Sequence, residues 1–524
     1  MMKNQEETSK GGLTYKDLLV LALAVILVMG FYLAVCRAQG WMGFPLDDAW
    51  IHQTYARSLA VRGEWAFLPC QISAGSTAPL WSALIVPGYL VNGNPPYFWT
   101  FLLGGACLWG VGVISELIYK RVARRKEKQR LPWMGIFMIA EWHLVWAAVS
   151  GMETLLQAFI VMAVFLMLFI VTDIKAWWLY LLLGGLTGLS IWVRPDGITL
   201  LGPAGLFILL TVTGLRRKVI NLCCLLGGIA LLVLPYMYFN WKLAGAILPN
   251  TFFAKQAEYA ILTTMPFLVR LGRILGLPLV GVGLILLPGW LYWIWSFCGK
   301  IFGRNAEGAG RDQNFVASTI PMAVLSMGIW WIGYYLIYAI RLPVIYQHGR
   351  YLMPAMPVYF LIGLTGLYHL YQAIRTKNQK YPLIRFGTIV TIVITMAGFL
   401  FLGARAYADD VGVIQTEMVR TALWVEENTP PDSIIAAHDI GALGYFGNRT
   451  IVDLAGLISP EVIPFIRDEA RLERYLHDKH VDYLVVFPDW YNYLPQNKQL
   501  IFQSNGLVSP RLGGENMAVY QLQK

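Results

Sequence analysis

LLVLALAVILVMGFYLAVC (residues 18–36) is an apolar run without a single charged side chain. At about 1.5 Å of rise per residue, a helix of this length crosses a hydrocarbon core of roughly 30 Å. Comparable runs recur near 97–118, 133–149, 154–172, 176–193, 198–214, 219–238, 275–298, 315–339, 355–372 and 386–403. About eleven spans are therefore expected. Composition agrees: 57% hydrophobic residues, 14% charged residues and a mean hydropathy of +0.54 lie outside the range of a soluble chain of 524 residues. The fold class expected is a polytopic α-helical membrane protein. The first run follows a polar head containing Lys3, Lys10 and Lys16 but has no small-residue cleavage site, which predicts a retained helix.

Positive charge fixes the expected orientation, because cytoplasmic loops hold excess Lys and Arg. KRVARRKEKQR (120–130), RRK (216–218), Lys300 with Arg304 and Arg311, and Arg375 with Lys377, Lys380 and Arg385 fall on one side under a single condition. The N-terminus is cytoplasmic, and TAPLWSALIVPGYLVNG (77–93) lies along the interface without crossing. The net charge of +10 is then a topology signal, and nucleic-acid binding is excluded as its explanation, since the clusters sit in short loops between spans. Residues 37–96, 240–265 and everything after about 404 are placed outside the cytoplasm. Six cysteines lie mostly in or beside spans, without metal-ligand spacing; Cys36 and Cys70 are the pair that a bridge on the outer side would use.

Beyond Arg405 hydropathy falls. A helical stretch near 411–428, strands in SIIAAHD (433–439), TIVDLA (450–455) and DYLVVFP (482–488), and a helix near 460–478 predict a small soluble α/β domain. The expected domains are a membrane module, 1–403, whose first outer loop is 37–96, and an extracytoplasmic domain, 404–524. No G-x-G-x-x-G or P-loop pattern opens a helix, so a nucleotide-binding unit is not expected.

The candidate chemistry lies in the outer segments. In FPLDDAWIHQTYARSLAVRGEW (44–65), Asp47 and Asp48 begin a helix, where its dipole favours negative charge. Asp48, His52 and Tyr55 share one face and Asp47 points elsewhere, so the two carboxylates do not flank one bond as a glycosidase pair does. One of them suits a general base, while an N-capping role is the structural alternative. At other span mouths stand Glu153 in SGMET, Arg194 and Asp196 in WVRPDG, Lys255 in LPNTFFAKQAE, and His348 and Arg350 in YQHGRYLMP. Glu141 and His143 fall inside the expected third span, where an unpaired charge costs on the order of 2.5–3.5 kcal/mol. They are expected to face a wet cavity or, alternatively, to serve helix packing.

Through LDDAWIHQTYARSLA, SGMET, RPDG, LPNTFFAK, GRYLMP and DIGALGYF followed by IVDLAGLISPEV, most of the chain resembles the membrane glycosyltransferases of the GT-C fold. The likeness is to the branch that includes the mycobacterial terminal arabinofuranosyltransferases. The resemblance implies a polyprenyl-phosphate sugar as donor, a cell-envelope glycan, lipid or protein as acceptor, and a multi-pass protein of the cell membrane. It implies a catalytic base in the Asp47–Asp48 pair, with the first acid favoured, for a single inverting displacement. A carrier lipid calls for a cationic phosphate clamp. Arg350 suits that role because a guanidinium binds phosphate in a bidentate way, with His348 and Lys255 beside it. A divalent cation, Mg or Mn, on Asp48 would help the phosphate leave, although no multi-carboxylate cage specifies one. The rival readings are an inactive lipid-binding or assembly homologue and a lipid or solute transporter. Against the transporter, no matching pair of broken helices marks two halves.

Overall fold

The computed structural model describes residues 12–91, 95–123, 131–174, 176–302, 319–375 and 381–522. The basic clusters at 124–130 and at Arg304, Arg311, Lys377 and Lys380, like Lys3 and Lys10, lie outside the described residues. Among the described residues, eight helices are long and apolar enough to cross a membrane. They are Tyr15–Ala38, Tyr97–Val122, Thr154–Ile174, Leu215–Ala244, Val282–Gly299, Ile320–Arg341, Tyr346–Arg375 and Pro382–Asn428. Trp177–Val193 and Pro195–Thr211 are shorter apolar helices, as is Pro79–Val91, the segment read as interfacial.

One expected span is not continuous. The 133–149 run forms two seven-residue helices, Trp133–Ile139 and Trp142–Ala148, with Glu141 between them in an extended conformation. The Glu141 carboxylate accepts the Leu144 N–H at 3.2 Å, so the residue caps the second helix. A capping acid interrupts the helix that hydropathy alone would draw through it.

Close helix packing follows from small residues. The pair Trp177–Val193 and Leu215–Ala244 meets at Gly184 and Gly228, where an added Cβ would run into the Leu225 and Leu181 carbonyl oxygens respectively. No disulfide forms: Cys36 and Cys70 are both free.

A hairpin, β1 (Ala66–Leu68) with β2 (Gln71–Ile72), follows the first outer helix, Asp47–Arg62. The C-terminal region is a five-stranded sheet of β3 (Ile434–Ala437), β4 (Thr450–Asp453), β5 (Tyr483–Val486), β6 (Gln499–Gln503) and β7 (Ala518–Gln521). Its order is β4-β3-β5-β7-β6, with β3 parallel to both β4 and β5, and β7 antiparallel to β5 and β6. The parallel half matches the three strands expected from sequence. The half-exposed β6 has a weaker apolar signal and was not anticipated, nor was β7. A small core of Ala436, Val452, Leu472 and Leu484 fills one face of this sheet, whereas Ile435, Ala437 and Leu457 belong to the large core shared with the membrane helices. The helix Tyr381–Val413 runs without a break from the membrane region into this domain.

Candidate active site

The Asp47–Arg62 helix is amphiphilic in an unusual sense: Gln53, Thr54 and Ser58 are as buried as Trp50 and Tyr55. It is clamped between membrane helices and the C-terminal domain. Its two leading carboxylates diverge, as their adjacency in sequence requires. Asp47 accepts the backbone N–H of Gly441 at 2.6 Å and of Ala442 at 2.8 Å, capping the short helix Gly441–Phe446 of the C-terminal domain. The approach demands glycine, since a Cβ at 441 would collide with the Asp47 carbonyl oxygen. Burial, with the Asp439 carboxylate nearby, pushes the Asp47 carboxyl above the usual carboxylate range, against the pull of the two N–H groups.

Asp48, like Asp47, lines a cavity of about 740 Å³. Its carboxylate pairs with the Arg350 guanidinium. Burial works against ionisation there, but Arg350 and Lys255 outweigh it and hold the Asp48 carboxyl well below the usual range. The two adjacent acids are thus driven apart, Asp47 toward its protonated form and Asp48 toward its carboxylate.

Arg350 is 4% exposed, and its Nε and Nη1 have no hydrogen-bond partner among the described residues. Leaving a buried charged donor unpaired costs more than the roughly 1–3 kcal/mol of a neutral one, which calls for a ligand. The backbone before it is strained: Gln347, His348 and Gly349 have φ of 53°, 58° and 73°. Left-handed geometry costs roughly 1–2 kcal/mol per non-glycine residue. The strain is held by His348 Nε2, which contacts Asp410 Oδ2 at 2.8 Å, and by Trp146 Nε1, which donates to the same oxygen at 2.9 Å. Lys255 reaches the cavity from the helix Asn250–Glu258, ion-paired with Glu258 at 3.2 Å. Despite burial, Glu258 and Asp48 hold its ammonium charged.

The other residues singled out by sequence do not line this cavity. His52, Glu153, Arg194 and Asp196 form a buried chain behind it: His52 Nε2 to Glu153 at 3.4 Å, Arg194 to Glu153 at 3.4 Å, and Arg194 to Asp196 at 3.0 Å. Tyr334 donates to Asp196 at 2.7 Å, and the Tyr351 ring takes cation–π contacts from both Arg194 and Arg350, linking the chain to the cavity wall. Tyr55 orients the Ser73–Gly75 loop, donating to or accepting from Ser73 Oγ at 2.6 Å and accepting the Gly75 N–H at 2.9 Å. Glu141 and His143 bond each other at 2.8 Å, both 1% exposed, so they satisfy one another in place of a wet cavity. Burial forces these polar groups to pair locally, and their pairing takes them away from the cavity.

The cavity wall also contains residues that sequence reading did not select: Glu258, Asp410, His438, Asp439, Trp490 and Tyr491. His438 lies in SIIAAHD, read only as a strand end, and Trp490 carries no local signal. The IVDLAGLISPEV segment shapes the wall through Asp453, whose carboxylate accepts the N–H groups of Ala455 at 2.8 Å, Ile458 at 2.8 Å and also Leu457.

Among the described residues no group of three or more His, Cys, Asp or Glu side chains is placed to hold a metal ion. Asp47 is committed to backbone donors and Asp48 faces two fixed cations. These residues as arranged do not fit a resident divalent cation.

Several solved structures share this architecture. ArnT from Cupriavidus metallidurans bound to undecaprenyl phosphate is 14% identical, with a TM-score of 0.57 over 97% of this chain and 98% of that one. The Archaeoglobus fulgidus oligosaccharyltransferase in complex with Zn and sulfate is 11% identical, with a TM-score of 0.57 over 90% of this chain and 68% of that one. The arabinofuranosyltransferase AftD from mycobacteria is 14% identical, with a TM-score of 0.52; the match covers 98% of this chain but 40% of AftD. The chain is thus a polytopic membrane protein of the GT-C fold. Residues 407–520 match a domain of unknown function (DUF8728). No curated protein sequence matches the chain.

Proposed function

We propose that the protein is an inverting glycosyltransferase that moves a pentose or hexose from a polyprenyl-phosphate carrier to an extracytoplasmic acceptor hydroxyl on a glycan, lipid or protein. The observation that carries this reading is Arg350: a buried guanidinium with two unpartnered nitrogens, beside Lys255 and an ionised Asp48, at one cavity wall. ArnT bound to undecaprenyl phosphate, and the archaeal oligosaccharyltransferase bound to dolichol phosphate, support a lipid-phosphate donor for the same fold. Arg350 and Lys255 hold the phosphate. Asp48 takes the proton of the acceptor hydroxyl as its oxygen attacks the anomeric carbon, and the carbon–oxygen bond to phosphate breaks with its electrons going to the leaving polyprenyl phosphate. Asp47 docks the C-terminal domain so that the cavity is closed. The test is release of polyprenyl phosphate from a labelled lipid-linked sugar by purified protein; retention of the intact donor with every acceptor offered would leave an inactive lipid-binding homologue.

Two further outcomes follow. Two fixed cations already face the phosphate, so transfer is expected to persist within about twofold after EDTA treatment. A loss of an order of magnitude that Mg or Mn restores would show that a metal displaces the Arg350 contact with Asp48. On orientation, the reading places the N-terminus in the cytoplasm. Cysteines introduced at the exposed Asp478 are expected to react with an impermeant maleimide in intact cells, and those within 124–130 only after permeabilisation. The reverse pattern would invert the sidedness.

A further inference from the structure

The cavity has a second half that donor binding leaves unused. It is built by the C-terminal domain from His438, Asp439, Trp490, Tyr491 and Asn492, with Glu258 at the junction. Trp490 is 49% exposed while lining the cavity, and its indole is fixed against the rings of His438 and Phe487, each at 5.0 Å. The loop bearing it is held by one side chain. Glu469 accepts the N–H groups of Asn492 at 2.8 Å, Tyr493 at 2.9 Å and Leu494 at 2.8 Å, and the Asn492 side-chain amide at 3.0 Å. An aromatic ring on the cavity wall, packed against His438 and Phe487 and followed by a backbone that Glu469 pins, is a preorganised platform with less freedom to lose when a ligand arrives.

Charge narrows what the platform accepts. The cavity lining holds six carboxylates, Asp47, Asp48, Glu258, Asp410, Asp439 and Glu469, against Lys255, Arg350 and Arg467. Arg467 is turned onto the Glu258 backbone carbonyl, with its Nε at 2.7 Å, and Lys255 and Arg350 face the donor phosphate. The half around Trp490 therefore has acceptors in excess and no cation to spare. His438 does not change this: against burial, Asp439 and Glu258 raise its pKa and hold the ring as a cation, but that cation is already paired with Asp439 at 3.4 Å. An anionic ligand would find no unpaired cation here among the described residues, whereas the hydroxyls of a neutral ligand would find acceptor lone pairs on Asp439 and Glu258.

Resting on the transferase reading above, we propose that this half is the acceptor subsite and that the acceptor is a carbohydrate free of anionic groups, stacked by a sugar ring on Trp490. The apolar face of a sugar ring covers the indole, and its hydroxyls donate to Asp439 and Glu258 and to the Asn492 carbonyl oxygens. This geometry turns a further hydroxyl toward Asp48. A volume of about 740 Å³ lies within the roughly 300–1,000 Å³ of small-molecule sites, and so has room for sugar units of both donor and acceptor.

The experiment is direct binding to the full-length protein in detergent, with no transfer step, using short neutral α-glucan, mannan and arabinan oligosaccharides, an oligogalacturonate and an unglycosylated peptide as probes. At least one neutral saccharide is expected to bind, at least tenfold more tightly than the oligogalacturonate. Trp490→Ala is expected to weaken it tenfold or more and Trp490→Phe by less, while undecaprenyl phosphate binds both variants as it binds the parent. Asp439→Asn is expected to relax discrimination against the oligogalacturonate. Preference for the oligogalacturonate or the peptide, no saccharide binding at all, or binding indifferent to Trp490 overturns the proposal. Saccharide binding that depends on Trp490 in a protein that never releases polyprenyl phosphate would keep the subsite and remove the transferase reading instead.

Discussion

Asp48→Asn is expected to reduce sugar transfer by at least about 10²-fold while leaving the protein able to bind its donor. The asymmetry follows from what faces Asp48. Its carboxylate pairs with Arg350, so the amide leaves that guanidinium short of protein counter-charge and freer to bind phosphate, while Lys255 keeps Glu258. Donor affinity should hold or rise as kcat falls, a pattern that simple damage to the cavity does not produce. Thermal stability is expected to drop only modestly, because the Asp48 side chain is partly exposed and Asn retains an acceptor for Arg350. Asp47→Ala should behave in the opposite way. It strips the cap from Gly441–Phe446 and leaves two buried N–H groups unmet, at about 1–3 kcal/mol each, so stability falls and activity follows docking of the C-terminal domain. If Asp48→Asn turns over normally and Asp47→Asn does not, the base is the first acid, as the family resemblance favours.

Arg350→Ala is expected to be the most damaging change in the cavity, with Arg350→Lys intermediate. Lysine keeps the charge but loses the planar guanidinium, whose Nε and Nη1 are buried without a hydrogen-bond partner among the described residues. The leaving phosphate gains negative charge as the glycosidic bond breaks, so the contact strengthens toward the transition state. Consequently kcat and kcat/KM should fall together instead of KM rising alone. A scaffold arginine would give poor expression or a lowered Tm in both variants, with surviving molecules turning over normally. That result would move the phosphate contact to Lys255.

Sequence by itself determined the membrane class and the parallel strands at the heart of the C-terminal domain. Uninterrupted apolar runs and short β-branched segments have few other ways to satisfy their backbones and bury their side chains. It also drew attention to Asp47, Asp48, Lys255 and Arg350, because charged residues common at span ends here all fall on one expected side and within the quoted motifs. It could not say which of the other polar residues meet the cavity. His52, Glu153, Arg194 and Asp196 carry the same signal as Arg350 yet spend their charges on one another, and Glu141 breaks the span it was thought to occupy in order to cap the next turn. Pairing of buried charges is a property of three-dimensional neighbours, and spacing along the chain is blind to it. Only the tertiary structure brings Gly441 to Asp47 and Arg350 to Asp48 across hundreds of residues, and only it sets Trp490 on the cavity wall. The physical reason is that the wall bearing Asp48 and Lys255 comes from helices between the membrane spans and the opposite wall from a separate sheet, docked through contacts such as Asp47 with Gly441, Asn250 with Leu457 and Arg467 with Glu258.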